Sequence, residues 1–280
     1  MKFNLVLFCI LSSRILFAQT PFESEKPIIY PSVTLQNPLN PGTFGTIIVA
    51  GVIQDKTRLG DKKDANVDLY LGLGKPAKVI GGGISLNIYG LSNDIGEPQN
   101  LGEGSLSFHI NRLFLSEKLL LDMGVDNAFS FGSPTGPNNY ITYQRSAYFS
   151  ASYLVSMKEE TTEPFNYLSL TLGAGNGYFR KDKSAKETGN NSFDPYFSLA
   201  TPIIKTTNFV AEWNGHDIGL GLSSIPFQNL PVMLRAETTD LVFGKPRFVF
   251  SVSLPFMLNK NSGSESRPIG LRSIRPARTI

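Results

Sequence analysis

Between about Phe44 and Phe256, apolar and polar residues alternate in one short segment after another. Val67, Leu69, Leu71 and Leu73 interleave with Asn66, Asp68, Tyr70 and Gly72. Ile84, Leu86 and Ile88 interleave with Ser85, Asn87 and Tyr89, and Leu168, Leu170, Leu172 and Ala174 with Ser169, Thr171, Gly173 and Gly175. A period of two means strands with two chemically different faces. The polar face consists of Ser, Asn, Gly, Tyr and Asp rather than Lys and Glu. A soluble barrel covers its outside with long charged side chains, whereas a membrane barrel turns its apolar face to lipid and lines a wet lumen with small polar groups. The pattern therefore predicts an all-β, transmembrane-type antiparallel β-barrel.

Twelve strands are expected, at 44–53, 65–73, 78–91, 102–113, 119–129, 145–156, 165–178, 193–202, 206–213, 217–224, 231–239 and 246–256. An even count returns both ends of the barrel to one side of the membrane. Long connections at 54–64, 130–144 and 179–192 alternate with shorter ones, as external loops and internal turns do. The ninth and eleventh connections are short where the rule asks for long ones, so the count after residue 200 is the least determined. The last strand sets Phe248, Phe250, Val252, Leu254 and Phe256 against Val249, Ser251 and Ser253 and ends on an aromatic. It resembles the closing strand on which the outer-membrane assembly machinery acts.

The rest of the chain divides around this barrel. Residues 1–18 read as a signal peptide, with Lys2, an apolar core from Leu5 to Ile10 and Ala18 at the cut. Residues 19–43 carry Pro21, Pro27, Pro31, Pro38 and Pro41, and proline cannot donate to a ladder, so a periplasmic arm is expected. Residues 257–280, with five basic residues against Glu265, read as a disordered basic tail. Cys9 lies in the leader, which leaves no thiol for disulfides or metal sites in the mature chain. Without Lys2 and Arg14 the chain holds 24 basic and 23 acidic residues, which is no nucleic-acid surface. The address is the outer membrane, and the partners are its lipid and the assembly machinery.

Candidate chemistry is sparse, and no catalytic, cofactor-binding or metal-ligating residue is assigned. His109 shares the register of Ser105, Ser107 and Asn111 and should face the lumen, out of reach of acyl chains. His216 and Asp217 follow Asn214-Gly215, a strong hairpin signal, so a tight turn with polar ends is expected. A barrel hydrolase built on either histidine stays open as the lesser alternative. Glu212, Asp217, Arg235 and Glu237 fall on or near the polar register of the last strands and form a candidate lumen charge cluster. Charges facing a lumen must be paired or wet, and such a cluster would narrow or close a pore.

The segment Ala211-Glu212-Trp213-Asn214-Gly215-His216-Asp217-Ile218-Gly219-Leu220-Gly221 resembles a repeating signature of YjbH-type outer-membrane proteins. That pattern runs acidic, aromatic, Asp, Gly, Arg, Asp, apolar, Asn, apolar, Gly. Here Asn214, His216 and Gly219 stand where the pattern has Asp, Arg and Asn. Thr34-Leu35-Gln36-Asn37-Pro38 resembles that family's N-terminal segment. The resemblance implies a barrel associated with export of exopolysaccharide, with polysaccharide-export proteins as further partners. The function expected is thus a non-enzymatic barrel, either a narrow channel or an accessory to polymer export. A structural or adhesive surface barrel displaying its long loops is the alternative.

Overall fold

The structure is a computed structural model that describes residues 31–39, 45–56, 63–89, 91, 103–132, 144–158, 163–180, 192–227 and 230–257. The expected signal peptide at 1–18, the part of the expected tail beyond 257 and most of the three long loops lie outside them. Twelve strands close into one antiparallel barrel. They are β1 (Thr46–Gln54), β2 (Asp64–Gly74), β3 (Gly81–Ile88), β4 (Gly104–Phe114), β5 (Leu119–Phe131) and β6 (Ser146–Ser156) in the first half. The second half holds β7 (Tyr167–Gly175), β8 (Asp194–Ile204), β9 (Thr207–Trp213), β10 (Ile218–Ser224), β11 (Met233–Thr239) and β12 (Arg247–Met257). Each strand pairs with its neighbours in sequence, and β12 closes on β1 from Thr46↔Met257 to Gln54↔Val249. The sequence pattern and the fold agree in all twelve strands, including those after residue 200.

Register assigns the faces. Val49 of β1 pairs with Leu69 of β2, Leu69 with Leu86 of β3, and Leu86 with Leu106 of β4, a continuous apolar row on the outside. Leu172, Phe197, Phe209, Leu220, Leu222 and Phe250 continue the outward face with 38–65% of their surface exposed. Within the strands, Arg112 is the one charged residue in an outward register, and its guanidinium sits 5.1 Å from the Phe114 ring. Inward registers carry seven carboxylates (Asp64, Asp68, Asp122, Asp126, Asp194, Glu212, Glu237) against the guanidiniums of Arg235 and Arg247. An 11-residue strand such as β2 is about 36 Å long and, tilted by about 40°, covers about 28 Å of barrel height, the thickness of an apolar membrane core. Strand β1 departs from the alternation, since Ile48, Ala50 and Val52 put apolar groups inward as well.

Two irregularities keep the faces in register. Between Leu106 and Phe108 the pairing of β4 with β5 slips, and Asn127 adopts φ 52°. This bulge turns Asn127 inward, onto the hydroxyls of Ser105 and Tyr89, and leaves Phe129 and Phe131 outside at 64% and 43% exposure. A second slip at Pro202/Ile204 falls where proline cannot donate to β9.

The glycine clusters prove to be seats for rings. A Cβ at Gly83 would collide with the Tyr70 ring, one at Gly173 with the Tyr196 ring, and one at Gly124 with the Tyr148 hydroxyl. The inner wall thus lays tyrosines flat across glycines of the next strand.

The barrel has two ends. The base is where β1 begins and β12 finishes; the mouth is opposite. Among the base turns, Lys205-Thr206 joins β8 to β9. At the mouth the connections 214–217 and 240–246 are the short ones. They are short because they fasten each other, as described next.

Candidate functional site

Residues 31–39 run inside the barrel. Part of the stretch expected as an arm is therefore lumen filling; the remainder of 19–43 lies outside the described residues. Near the base, the Asn208 amide donates to the Pro31 and Ser32 carbonyls, both at 3.1 Å, and the Ser32 N–H donates to Ser223 Oγ at 2.7 Å. Toward the mouth, the Glu212 carboxylate accepts the Leu35 N–H at 2.8 Å and the Gln36 N–H at 2.6 Å, while Arg235 Nη1 donates to the Leu35 carbonyl at 2.8 Å. The Gln36 side chain donates to Glu237 at 2.9 Å and accepts from Tyr178 and Asn214. The Asn37 amide reaches Ser198 Oγ at 2.8 Å, and Ser150 donates to the Pro38 carbonyl at 2.6 Å. Leu35 packs on Ala200 and Val210. Thr34, Leu35 and Asn37 are all buried.

The sequence explains this behaviour. Pro31 and Pro38 prevent the segment from joining a ladder, so its backbone amides and carbonyls need side-chain partners instead. The inward registers of β6, β9, β10 and β11 supply them as Ser150, Asn208, Glu212, Ser223 and Arg235.

The candidate lumen cluster is thereby resolved into two groups. Glu212, Arg235 and Glu237 do face the lumen, and each is engaged by the 31–39 segment rather than only by its neighbours in the wall. Arg235 also donates to Ser251 of β12 at 2.9 Å. Asp217 does not belong with them. It sits at the mouth, where its carboxylate accepts the backbone N–H groups of Val242, Phe243 and Gly244 at 2.7–2.9 Å. Asn214 Oδ1 accepts the Asp217 N–H, and Gly215 takes φ +95°, so the turn is held from within. His216 Nε2 approaches Asp240 at 3.3 Å, Asp240 accepts from Arg247 Nε at 2.9 Å, and Arg247 Nη1 donates to Gln54. Burial alone would raise the Asp240 pKa, but His216 and Arg247 outweigh it and hold the carboxyl below its ordinary value. Trp213 packs edge-on against Phe243, 6.0 Å between centroids.

His109 is a wall residue. Its Nε2 meets the Tyr70 hydroxyl and its Nδ1 the Asp122 carboxylate, both at 2.9 Å, and its side chain is buried. The Gly82 carbonyl accepts from Tyr70 at 3.2 Å, which ties β2, β3, β4 and β5 together. On the closing strand, Phe248 and Phe250 face outward at 60% and 39% exposure, and Phe256 shares their register opposite Ile47. Among the described residues there is no group of three or more His, Cys, Asp or Glu placed to hold a metal ion.

Sequence reasoning missed the plug at 31–39 and its partners Asn208, Tyr178 and Ser198. One signal was present: Thr34-Leu35-Gln36-Asn37-Pro38 stood out as a motif, without an indication that it lies in the lumen.

No protein-family model and no curated protein sequence matches the chain. Among solved structures, it is similar to the KdgM porin in complex with disordered oligogalacturonate, at 10% identity and TM-score 0.44, over 76% of this chain and 99% of that one. It is also similar to an outer membrane channel from Pseudomonas putida F1, at 12% identity and TM-score 0.43, over 83% of this chain and 100% of that one. A third is outer membrane phospholipase A from Escherichia coli, at 11% identity and TM-score 0.41, over 82% of this chain and 99% of that one. At such distances the resemblance says nothing about what this barrel binds or passes.

Proposed function

We propose that this protein is a non-enzymatic outer-membrane barrel, a narrow channel kept shut by its own N-terminal segment. The observation that carries the reading is the position of residues 31–39 inside a barrel whose strands face outward with apolar side chains. The energetics suit a removable plug. Among the described residues, thirteen hydrogen bonds join the segment to the strands and to the mouth residues Tyr178 and Asn214. At about 1 kcal/mol each, with burial of Leu35 adding about 2, they contribute roughly 15 kcal/mol. Ordering nine residues costs about 9–18 kcal/mol. The two sides nearly cancel, so a modest bias can move the segment in or out. The test is planar-bilayer recording of the refolded protein. Rare, small openings that become frequent when 31–39 is deleted support the reading; equal currents with and without the segment overturn it.

Accessory action in export of exopolysaccharide is the finer reading. It rests on the resemblance of 211–221 to YjbH-type proteins and is favoured by the amides, guanidiniums and tyrosine that face the lumen near the mouth. Loss of surface polymer on deletion of the protein, restored by the intact chain, tests it.

A further inference from the structure

The segment at 31–39 enters the lumen from the base, turns at the mouth and heads back. Pro31 and Ser32 meet Asn208 and Ser223, each one residue from the base end of its strand. The apex is at the mouth. There Gln36 accepts from Tyr178 and Asn214, and the Asn37 amide donates to the carbonyl of Trp213, the last residue of β9. By Pro38 the chain has turned, since its carbonyl accepts from Ser150, four residues down β6 from the mouth. Gly45 already stands at the base, next to the first residue of β1. The seven residues from Pro38 to Gly45 reach about 24 Å. That is too short to cross the mouth and descend the outside of a wall about 28 Å tall, so the return also passes through the lumen.

Both arms of this loop therefore open at the base, which fixes the direction in which the lumen can be cleared. Moving the apex outward past the mouth leaves two passages of chain in the barrel, whereas drawing it toward the base leaves none. The returning arm is fixed to the wall through β1, so the arm before Pro31 is the one that can travel. The hydrogen bonds are spaced for release from that end. Three hold Pro31 and Ser32, and three hold the backbone of Leu35 and Gln36. Three more hold the Gln36 side chain, three the Asn37 amide and one Pro38. Chain drawn out from Pro31 onward meets them in small groups, never all together.

We infer that the channel is worked from the base: the chain leading into Pro31 is a handle, and a pull on it withdraws the loop with the apex leaving last. This rests on the plug reading and adds to it the side and the end from which the plug is moved. A ligand at the mouth can loosen the apex but cannot clear the lumen.

The test ties down the base end and leaves the apex alone. In a Cys9→Ser background, Ser32→Cys and Ser223→Cys are joined by a short bis-methanethiosulfonate linker in the refolded protein. Single channels are recorded in planar bilayers before and after reduction, with the heat-dependent gel shift confirming an intact barrel. Withdrawal predicts an opening frequency at least tenfold lower in the linked protein, recovered on reduction. Equal frequencies in the linked and reduced protein would mean that the apex alone moves, and would overturn the inference. The variant lacking 31–39 tells this from failure of the plug: if its currents exceed those of the wild type while the link changes nothing, the plug stands and withdrawal falls. A second measurement reports the side. Gln36→Cys in the same background should react with a charged, impermeant methanethiosulfonate added to the base compartment, at a rate that follows the opening frequency. Reaction from the mouth compartment alone, however often the channel opens, would also overturn the inference.

Discussion

The carboxylate of Glu212 holds the backbone N–H of Leu35 at 2.8 Å, joining a wall position near the mouth to a residue 177 positions earlier in the chain. Its second oxygen takes the next amide, that of Gln36. A carboxylate that accepts two adjacent backbone amides works on the plug as a capping residue works on a helix end.

Removing that carboxylate should loosen the plug without opening the barrel wall. Charge-assisted hydrogen bonds are worth roughly 1.5–3 kcal/mol each, so Glu212→Ala should cost the seated plug about 3–6 kcal/mol. Against a nearly balanced plug this is enough to shift its position. The expected result is a large rise in open time in planar bilayers and faster proteolysis near residue 35, with the barrel's gel mobility unchanged. Glu212→Gln, which retains one acceptor, should fall between. A plug as protected in Glu212→Ala as in the wild type would mean that Glu212 is not its anchor.

The outward row through Leu69, Leu86 and Leu106 yields a test of the membrane reading. Leu86 and Ser85 are adjacent but face opposite ways. An arginine near the bilayer midplane costs roughly 2–4 kcal/mol on the lipid face, while a wet lumen accepts it. Leu86→Arg should therefore lower the yield of assembled barrel strongly and Ser85→Arg only slightly. Equal yields would point to a barrel that is not embedded in lipid.

Ring-over-glycine packing predicts a second asymmetry. A methyl group at Gly83 meets the Tyr70 ring, whereas one at Gly51 meets nothing within 4 Å. Gly83→Ala should destabilise the barrel by about 1–3 kcal/mol through overpacking, and Gly51→Ala should change stability by less than about 0.5 kcal/mol. Urea-dependent unfolding of the two variants in the same detergent measures the difference. Displacing the Tyr70 ring would also disturb its contact with His109, so the two effects should appear together.

What was legible in the sequence follows from periodicity. A strand with lipid on one side and a lumen on the other must alternate, so Val67 to Leu73 or Leu168 to Ala174 declared both their strand state and their faces. The plug has no period, because each of its residues answers a different wall side chain. Pro31-Ser32-Val33-Thr34-Leu35-Gln36-Asn37-Pro38 therefore reads like a linker. Asp217 stands apart from the cluster for a related reason: one position before β10 begins, a carboxylate can turn to a neighbouring loop, and only the 242–244 amides show that it does. The β5 bulge was invisible because Asn127 carries no mark of a positive φ beyond its own tolerance for it.

The mouth should respond to acid through Asp240. Its folded pKa is depressed, so its stabilising contribution is complete above the unfolded value of about 3.9 and is lost as pH falls through the folded one. Trp213 is the chain's one tryptophan and packs on Phe243 in the loop that Asp240 helps to hold. Its emission should stay constant from about pH 8 to 5 and change below about pH 4. Asp240→Asn should show the altered emission at neutral pH as well, since breaking a buried pair costs roughly 3–5 kcal/mol. A transition centred between pH 5 and 7 would assign the response to another group.

Arg235 joins the plug and the lumen charge in one residue. It holds the Leu35 carbonyl and Ser251, and it is one of only two guanidiniums that face seven inward carboxylates from the strands. Arg235→Ala removes an anchor from a finely balanced plug and increases the negative excess of the lumen. Both effects act in one direction: the pore should open more often, and the open state should prefer cations more strongly than the wild type. Arg235→Lys separates them, because a lysine keeps the charge but lacks the planar fork that reaches Leu35 and Ser251 together. It should open more often than the wild type, with nearly wild-type selectivity. Single-channel conductance and reversal potential in a salt gradient measure both quantities. Unchanged values in Arg235→Ala would remove this residue from any gating role and favour a surface scaffold whose lumen is permanently filled.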